Sequence, residues 1–502
     1  MGLLDNLLLG LSVALTLSNL FWCFVGVVLG MFVGVLPGIG SLAAISLLLP
    51  VTYHLDPTSA IVMLAGVYYG TAYGGSIASI LLNLPGTPAT AVAALDGYPM
   101  SKQGRAGVAL LMTTVGSFVG ASIGILILMF FSPLVVSVAL KFGPAEYFSM
   151  MLLGLVAASS IGTASPAKGI SMVVLGVILG LVGADIESGL TRFTFGSMNL
   201  YEGISLVAVA MGLFGVSEVI ASIREVRTGV PNRHISFASM IPTRDDVRRS
   251  WMPMLRGSGI GSFFGALPGT GGVIASFMAY AIEKRVAQEP ARFGQGAIEG
   301  IVAPETANNA SDQTAFIPTL TLGIPGNVVM ALMIGALMIH GIVPGPQLMT
   351  KHPDLFWGLV MSFWIGNLML LVLNIPLIGI WVRVLTIPYQ LLYPAVLMFV
   401  CIGVYSINNN AFDVGVVVLF GIVGYVMRLL DLQPAPLLLG FVLGPLLEEN
   451  LRRALLISRG DFLVFVERPI SAGFVAVTAA ILAWSTVRFI RNRPTQEVLE
   501  AE

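Results

Sequence analysis

Apolar residues run along this chain in long blocks, separated by short polar intervals. Blocks near the roughly 20 residues that a helix needs to cross a bilayer stand at about 20–36, 57–82, 106–131, 144–163, 168–184, 200–222, 253–267, 297–323, 327–343, 355–375, 376–405, 411–430, 434–446 and 470–490. Several are too short or too interrupted to span alone, so the pattern predicts about a dozen transmembrane helices plus hairpins. The blocks far exceed what a barrel strand requires, which makes the fold class all-α and polytopic. The longest polar interval holds Arg224, Arg227, Arg233, Arg244, Arg248 and Arg249, and the end of the chain holds Arg488, Arg491 and Arg493. The positive-inside rule puts both in the cytoplasm. The chain then divides into an N-terminal membrane half (1–223), a cytoplasmic linker (224–252), a C-terminal membrane half (253–490) and a cytoplasmic tail (491–502).

Two apolar blocks in each half are broken by Pro-Gly. "GVLPGIGS" begins at Gly34 and "GALPGTGG" at Gly265, an offset of 231 positions. "ILLNLPGTPATAV" begins at Ile80 and "LTLGIPGNVVMAL" at Leu320, an offset of 240, so the second copy carries nine more residues between its two breaks. The polar piece between the breaks has no Lys or Arg in the first copy ("TYHLDPTS") but has Lys284, Arg285 and Arg292 in the second. After the second break the bias reverses, with Lys102 and Arg105 against only Lys351. Equivalent loops facing opposite sides of the membrane are the signature of an inverted repeat, and matched interruptions of its helices point to a binding site near mid-membrane.

A break frees N–H groups where the next half-helix starts and carbonyls where the previous one ends. The first set suits an anion and the second a cation. The expected substrate ligands are therefore the backbone and side chains at Gly38, Gly40, Ser41, Asn83, Gly86, Thr87, Gly269, Thr270, Gly271, Gly326 and Asn327. Upstream of each second break lies a polar face, "YYGTAYGGSIASILLN" and "APETANNASDQTAFIPT". Such polarity inside a span is costly and marks function. From the second face Asn309 and Asp312 are the expected cation ligands, whereas Glu305 reads as a residue near a helix start. Asp185 and Glu187 in "VGADIESG" read as a solvated loop, and "EENLRRALLISRGD" as an amphipathic segment at the membrane surface.

Composition agrees: 56% of the 502 residues are hydrophobic and only 10% charged. A net charge of −1 argues against nucleic acid, and two cysteines cannot form a disulfide framework. The four histidines are scattered without metal-ligand spacing and no catalytic motif is present, so no enzyme and no cofactor is expected.

The four interrupted motifs, with "YYGTAYGGSIASILLNLPGTPATAVAALDGYPM" and "APETANNASDQTAFIPTLTLGIPG" as the longest, resemble the large membrane subunit of the tripartite tricarboxylate transporter family, the TctA type, over about 20–450. The resemblance implies a secondary transporter of the bacterial inner membrane. It implies a di- or tricarboxylate-type substrate and coupling to an ion gradient, with Na+ as the expected coupling ion. It also implies two partners, a small integral subunit of the TctB type and a periplasmic solute-binding protein of the TctC type. The competing expectation is a passive channel for small organic anions, which could use broken helices without holding its solute tightly.

Overall fold

A computed structural model describes residues 2–36, 40–160, 166–185, 188–222, 237–268, 270–385 and 389–491. The chain is helical almost throughout. Its first stretch forms α1 (Leu3–Ala14), α2 (Leu17–Val35), α3 (Gly40–Thr52), α4 (Pro57–Leu82), α5 (Ala91–Lys102) and α6 (Ala106–Ala139). Then come α7 (Pro144–Ser160), α8 (Pro166–Gly180) and a two-residue hairpin, β1 (Gly183–Ala184) with β2 (Thr191–Arg192). Next, α9 (Leu206–Ala210) runs through a π-helical turn into α10 (Ser217–Ser222), followed by α11 (Phe237–Met240), α12 (Arg244–Ala266) and α13 (Gly271–Val286). The remainder is α14 (Glu299–Thr314), α15 (Phe316–Leu322), α16 (Val328–Ile339), α17 (Leu348–Lys351), α18 (Pro353–Val384), α19 (Tyr389–Asn408), α20 (Ala411–Leu429), α21 (Pro434–Ile457), α22 (Val464–Glu467) and α23 (Pro469–Arg491). Among the described residues five helical stretches are long and apolar enough to cross a membrane: α2, α6, α18, α20 and Pro469–Val487 of α23. Shorter apolar helices accompany them, and the protein is an all-α, multi-pass membrane protein.

Two compact units are formed. One comprises Met1–Leu140 with Ser205–Tyr425, the other Lys141–Ile204 with Val426–Glu502. The N-terminal half read from the sequence thus gives only 141–204 to the second unit, and the C-terminal half gives its end, from Val426, to it. In the first unit the element boundaries follow local chemistry. Asp56 caps α4 by accepting from the Thr58 N–H at 3.1 Å, with Pro57 pre-set for the first turn. Thr243 and Asp246 form a capping box that starts α12, inside the segment read as linker. Both central helices end on a left-handed residue, Asn83 after α4 (φ 58°) and Gly323 after α15 (φ 73°).

The helices that carry the polar motifs are buried all round. Every residue of α14 is buried, and so is every residue of α4 from Thr58 to Leu81. Glycines make that possible by letting backbones touch. A Cβ on Gly26, Gly30 or Gly34 of α2 would come within 3.0 Å of the carbonyl oxygens of Met63, Val67 and Thr71 on α4. A Cβ on Gly257, Gly261 or Gly265 of α12 would meet those of Ala303, Ala307 and Ser311 on α14 in the same way. These glycines are related by the offset of 231, and their partners by the offset of 240. The repeat found at the Pro-Gly motifs is therefore also a repeat of contacts. On its other side α14 meets a third stripe, Gly116, Gly120 and Gly124 of α6, which lie against Thr306 and Ala310.

Two expectations change, at Pro376 and at Asp185. Pro376 does not divide two helices but lies within α18, since a span tolerates proline where neighbours re-satisfy the freed carbonyl. The segment from Glu448 to Ile457 is the continuous end of α21, braced by i,i+4 pairs of Glu448 with Arg452 and Glu449 with Arg453. Asp185 is not solvated: in the second unit it is buried beside the hairpin, 2.9 Å from Arg192 and 2.8 Å from Arg452. Glu187 lies outside the described residues.

Gly261→Leu should destabilise the detergent-solubilised protein by about 1–3 kcal/mol or more, because the side chain must push α12 off α14. Gly259→Ala, on the same helix with nothing within 4 Å of the added Cβ, should leave the melting temperature close to wild type.

Candidate functional site

All four breaks belong to the first unit, and the half-helices that follow them pair between the two copies: α3 packs on α16, and α13 packs on the short 3-10 turn Pro88–Thr90. The residue after each first break takes the left-handed conformation that glycine allows, Gly40 at φ 67° and Gly271 at φ 65°, and each opens a half-helix. The two breaks within each copy also touch. A Cβ on Gly86 would run into the Gly34 carbonyl and into Gly75. A Cβ on Gly326 would lie 3.0 Å from the Ala315 carbonyl, and one on Gly271 would lie 3.3 Å from the Asn327 Cβ.

The most elaborate polar arrangement stands at the start of α13. Asn308 and Asp312, one turn apart on α14, lie against Gly272, where an added Cβ would collide with Asn308 Oδ1 and lie 3.4 Å from Asp312 Oδ1. The Asp312 carboxylate thus faces the positive end of a 16-residue helix. Asp312 Oδ1 accepts a 2.5 Å hydrogen bond from the Tyr68 hydroxyl of α4. Tyr68 in turn accepts from Asn327 Nδ2 at 3.0 Å, while Asn327 Oδ1 caps α16 by accepting from the Met330 N–H at 3.0 Å. One chain of hydrogen bonds therefore links α4, α14 and the fourth break. Among the described residues no ion pair reaches Asp312 or Glu305.

The other expected ligands are placed as follows. Ser41 is half-buried in the first turn of α3. Thr87 is buried and its N–H donates to Thr90 Oγ1 at 3.2 Å. Thr270 turns its hydroxyl back onto the end of α12, donating to the carbonyls of Phe264 and Leu267. Asn83 is exposed and serves α4 as its left-handed C-cap. Asn309 sends its amide nitrogen to the Glu305 carbonyl at 3.0 Å, which leaves its oxygen as the atom to present to a ligand. Gly38 and Gly269, with Pro37, lie outside the described residues. Glu305 is not at a helix start: α14 begins at Glu299 and runs through Pro304, so Glu305 stands mid-helix with 1% exposure.

Tyr68, Gly272 and Thr90 were not singled out from the sequence. Tyr68 could have been, since it precedes Asn308 by the same 240 positions that relate the second breaks, and both residues point at this site.

Comparison with known proteins places the chain among transport components. The family model described as the tripartite tricarboxylate transporter TctA family matches residues 20–439. An uncharacterized 52.8 kDa protein in the TAR-I ttuC' 3' region of Agrobacterium vitis is 49% identical over 505 residues, covering 100% of both chains. An uncharacterized protein in the TAR-II ttuC' 3' region of the same organism is 55% identical over 240 residues, 48% of this chain and 99% of that one. No solved structure matches the chain.

Tyr68→Phe removes the hydroxyl that joins Asp312 to Asn327. Leaving these buried groups without it should cost about 1–3 kcal/mol, read as a lowered melting temperature of the solubilised protein.

Proposed function

The chain belongs to the tripartite tricarboxylate transporter TctA family, and from that premise we propose that it is the large membrane subunit of a secondary active importer of di- or tricarboxylate-type organic anions, coupled to Na+. The observation that carries this reading is the meeting of the breaks. Half-helix starts, an uncompensated buried carboxylate and neutral donors stand together in a chain whose motif segments hold almost no Lys or Arg.

In this reading the substrate carboxylates take the free N–H groups of Gly40–Ser41 and Gly271–Gly272, with side-chain bonds from Ser41, Thr87 and Asn327. Asn83 and Thr270 act on the chain ends rather than on the solute. A Na+ ion sits beside Asp312, taking oxygens from Asn308 and Asn309 and from carbonyls at the interrupted ends. Its charge offsets that of the substrate, so each favours the binding of the other. The two copies are related by inversion across the membrane, which the reversal of Lys and Arg between equivalent loops supports. Alternating access then follows from movement of the elements that hold the site relative to the rest of the bundle. The protein works in the bacterial inner membrane with a small integral subunit and a periplasmic binding protein that delivers the solute.

The test is uptake of radiolabelled carboxylates into proteoliposomes that hold the chain with both partner proteins. An inward Na+ gradient should drive accumulation above the external concentration, and Asn327→Ala should slow it about tenfold or more, given a lost bond to a charged group. Downhill flux indifferent to the Na+ gradient would instead mark a channel.

A further inference from the structure

Seven residues before Asp312 on α14, Glu305 is a second buried carboxylate that the transport reading leaves unused. Two turns of helix place it about 10 Å away along the axis. Its Oε2 faces the Ser117 hydroxyl of α6 at 3.5 Å, and the Ser76 hydroxyl of α4 faces it as well. Both serines line a crevice between α4, α6 and α18, together with Tyr73, Thr113, Thr114 and Asn374.

The hydroxyls of that crevice have already given away their hydrogens. Ser76 donates to the Ala72 carbonyl, Thr113 to Ala109 and Leu110, and Thr114 to Leu110. Tyr73 donates to Asn367 Oδ1 at 2.8 Å, and Ser117 donates to Glu305. Each hydroxyl hydrogen is committed, so what the hydroxyls offer a guest is lone pairs.

Asn374 gives the second, independent sign. It is 3% exposed, and its Oδ1 has no partner. Asn367, two turns earlier on α18, shows what a satisfied amide looks like here: it accepts from Tyr73 and donates to the Phe118 carbonyl and Ser122 Oγ, both at 3.1 Å. A buried amide oxygen left bare, in a crevice whose two serines also face a carboxylate without a basic partner, suits a positive guest.

We propose that this crevice beside Glu305 is a second cation site, distinct from the one at Asp312, that takes a small monovalent cation of the Na+ type. Hydroxyl, amide and carboxylate oxygens are hard ligands, and a single carboxylate balances one positive charge rather than two. Glu305, Asn309 and Asp312 follow one stripe of α14, so the two sites are joined by a row of oxygen-bearing side chains. The inference rests on the cation-coupled reading above but uses different residues, so the two can fail separately.

The test is equilibrium binding of radioactive sodium to the purified full-length protein, with K+ as the balancing ion. Wild type should hold two Na+ per chain. Asn374→Leu and Glu305→Gln should each remove one of them or weaken it about tenfold or more, whereas Asp312→Asn should remove only the other. Asn374→Asp, which restores an oxygen at the same place, should recover the binding that Asn374→Leu loses and so guards against mere misfolding. Curves for Asn374→Leu and Glu305→Gln that coincide with wild type, or a wild type with one Na+ lost entirely in Asp312→Asn, would mean that the crevice binds no cation and overturn the proposal. In that case Na+-driven uptake can still stand. Loss of Na+-driven uptake with two-site binding intact would sink the coupling and leave the crevice.

Discussion

The structure depends on how a polar helix can be buried on every side. α14 carries Glu305, Asn308, Asn309, Ser311, Asp312, Gln313 and Thr314, and all of them are shielded from the surroundings. In a hydrocarbon solvent such a helix gains nothing from hydrophobic association, so close backbone contact must hold it. Two glycine-bearing faces, α12 and α6, supply that contact, together with the alanines Ala275 and Ala279 of α13 against Ala303 and Ala307. The same device, α2 on α4, serves the first copy. The polar site exists because the scaffold around it is built from residues with almost no side chain.

That constraint also explains the breaks. A half-helix ending inside the bundle leaves N–H and C=O groups that lipid cannot satisfy. Asn83 and Gly323 turn the chain left-handed so that the last carbonyls of α4 and α15 find intrachain partners. Thr270 covers the end of α12, and Asn327 the start of α16. Asp96 of α5 does the same for the approach to α14, accepting from the N–H groups of Gly294, Gly296 and Ala297 at 2.8–2.9 Å. A residue of the first copy thus satisfies backbone groups in the second.

Much of this is legible in the sequence. The Pro-Gly pairs and their offsets give the repeat, and the limits of α4 can be read from Asp56-Pro57 and from the asparagine at position 83. What cannot be read is the three-dimensional partner. Nothing local says that Tyr68 donates to Asp312, since 244 positions separate them. Pro304 looks like a helix start because proline favours the first turn, yet here a helix begun at Glu299 absorbs it. A loop pattern such as "VGADIESG" signals solvent, yet Arg192 across the hairpin and the distant Arg452 hold Asp185 inward. Polar side chains in this protein act through contacts of long sequence separation, so composition marks them without assigning their work.

The charge balance decides what the site can hold. At an effective dielectric of about 20, a substrate carboxylate about 4 Å from Asp312 is repelled by about 4 kcal/mol. The half charge at the start of α13 and the neutral donor Asn327 offset only part of that. A bare anion and an ionised Asp312 therefore exclude each other, and a single positive charge between them reverses the sign of the interaction. No basic side chain is paired to Asp312 or Glu305 among the described residues, and the cation we propose would supply that charge from outside. In the reading we propose, this makes cation and anion obligate companions: coupling is then a consequence of leaving arginine and lysine out of the centre.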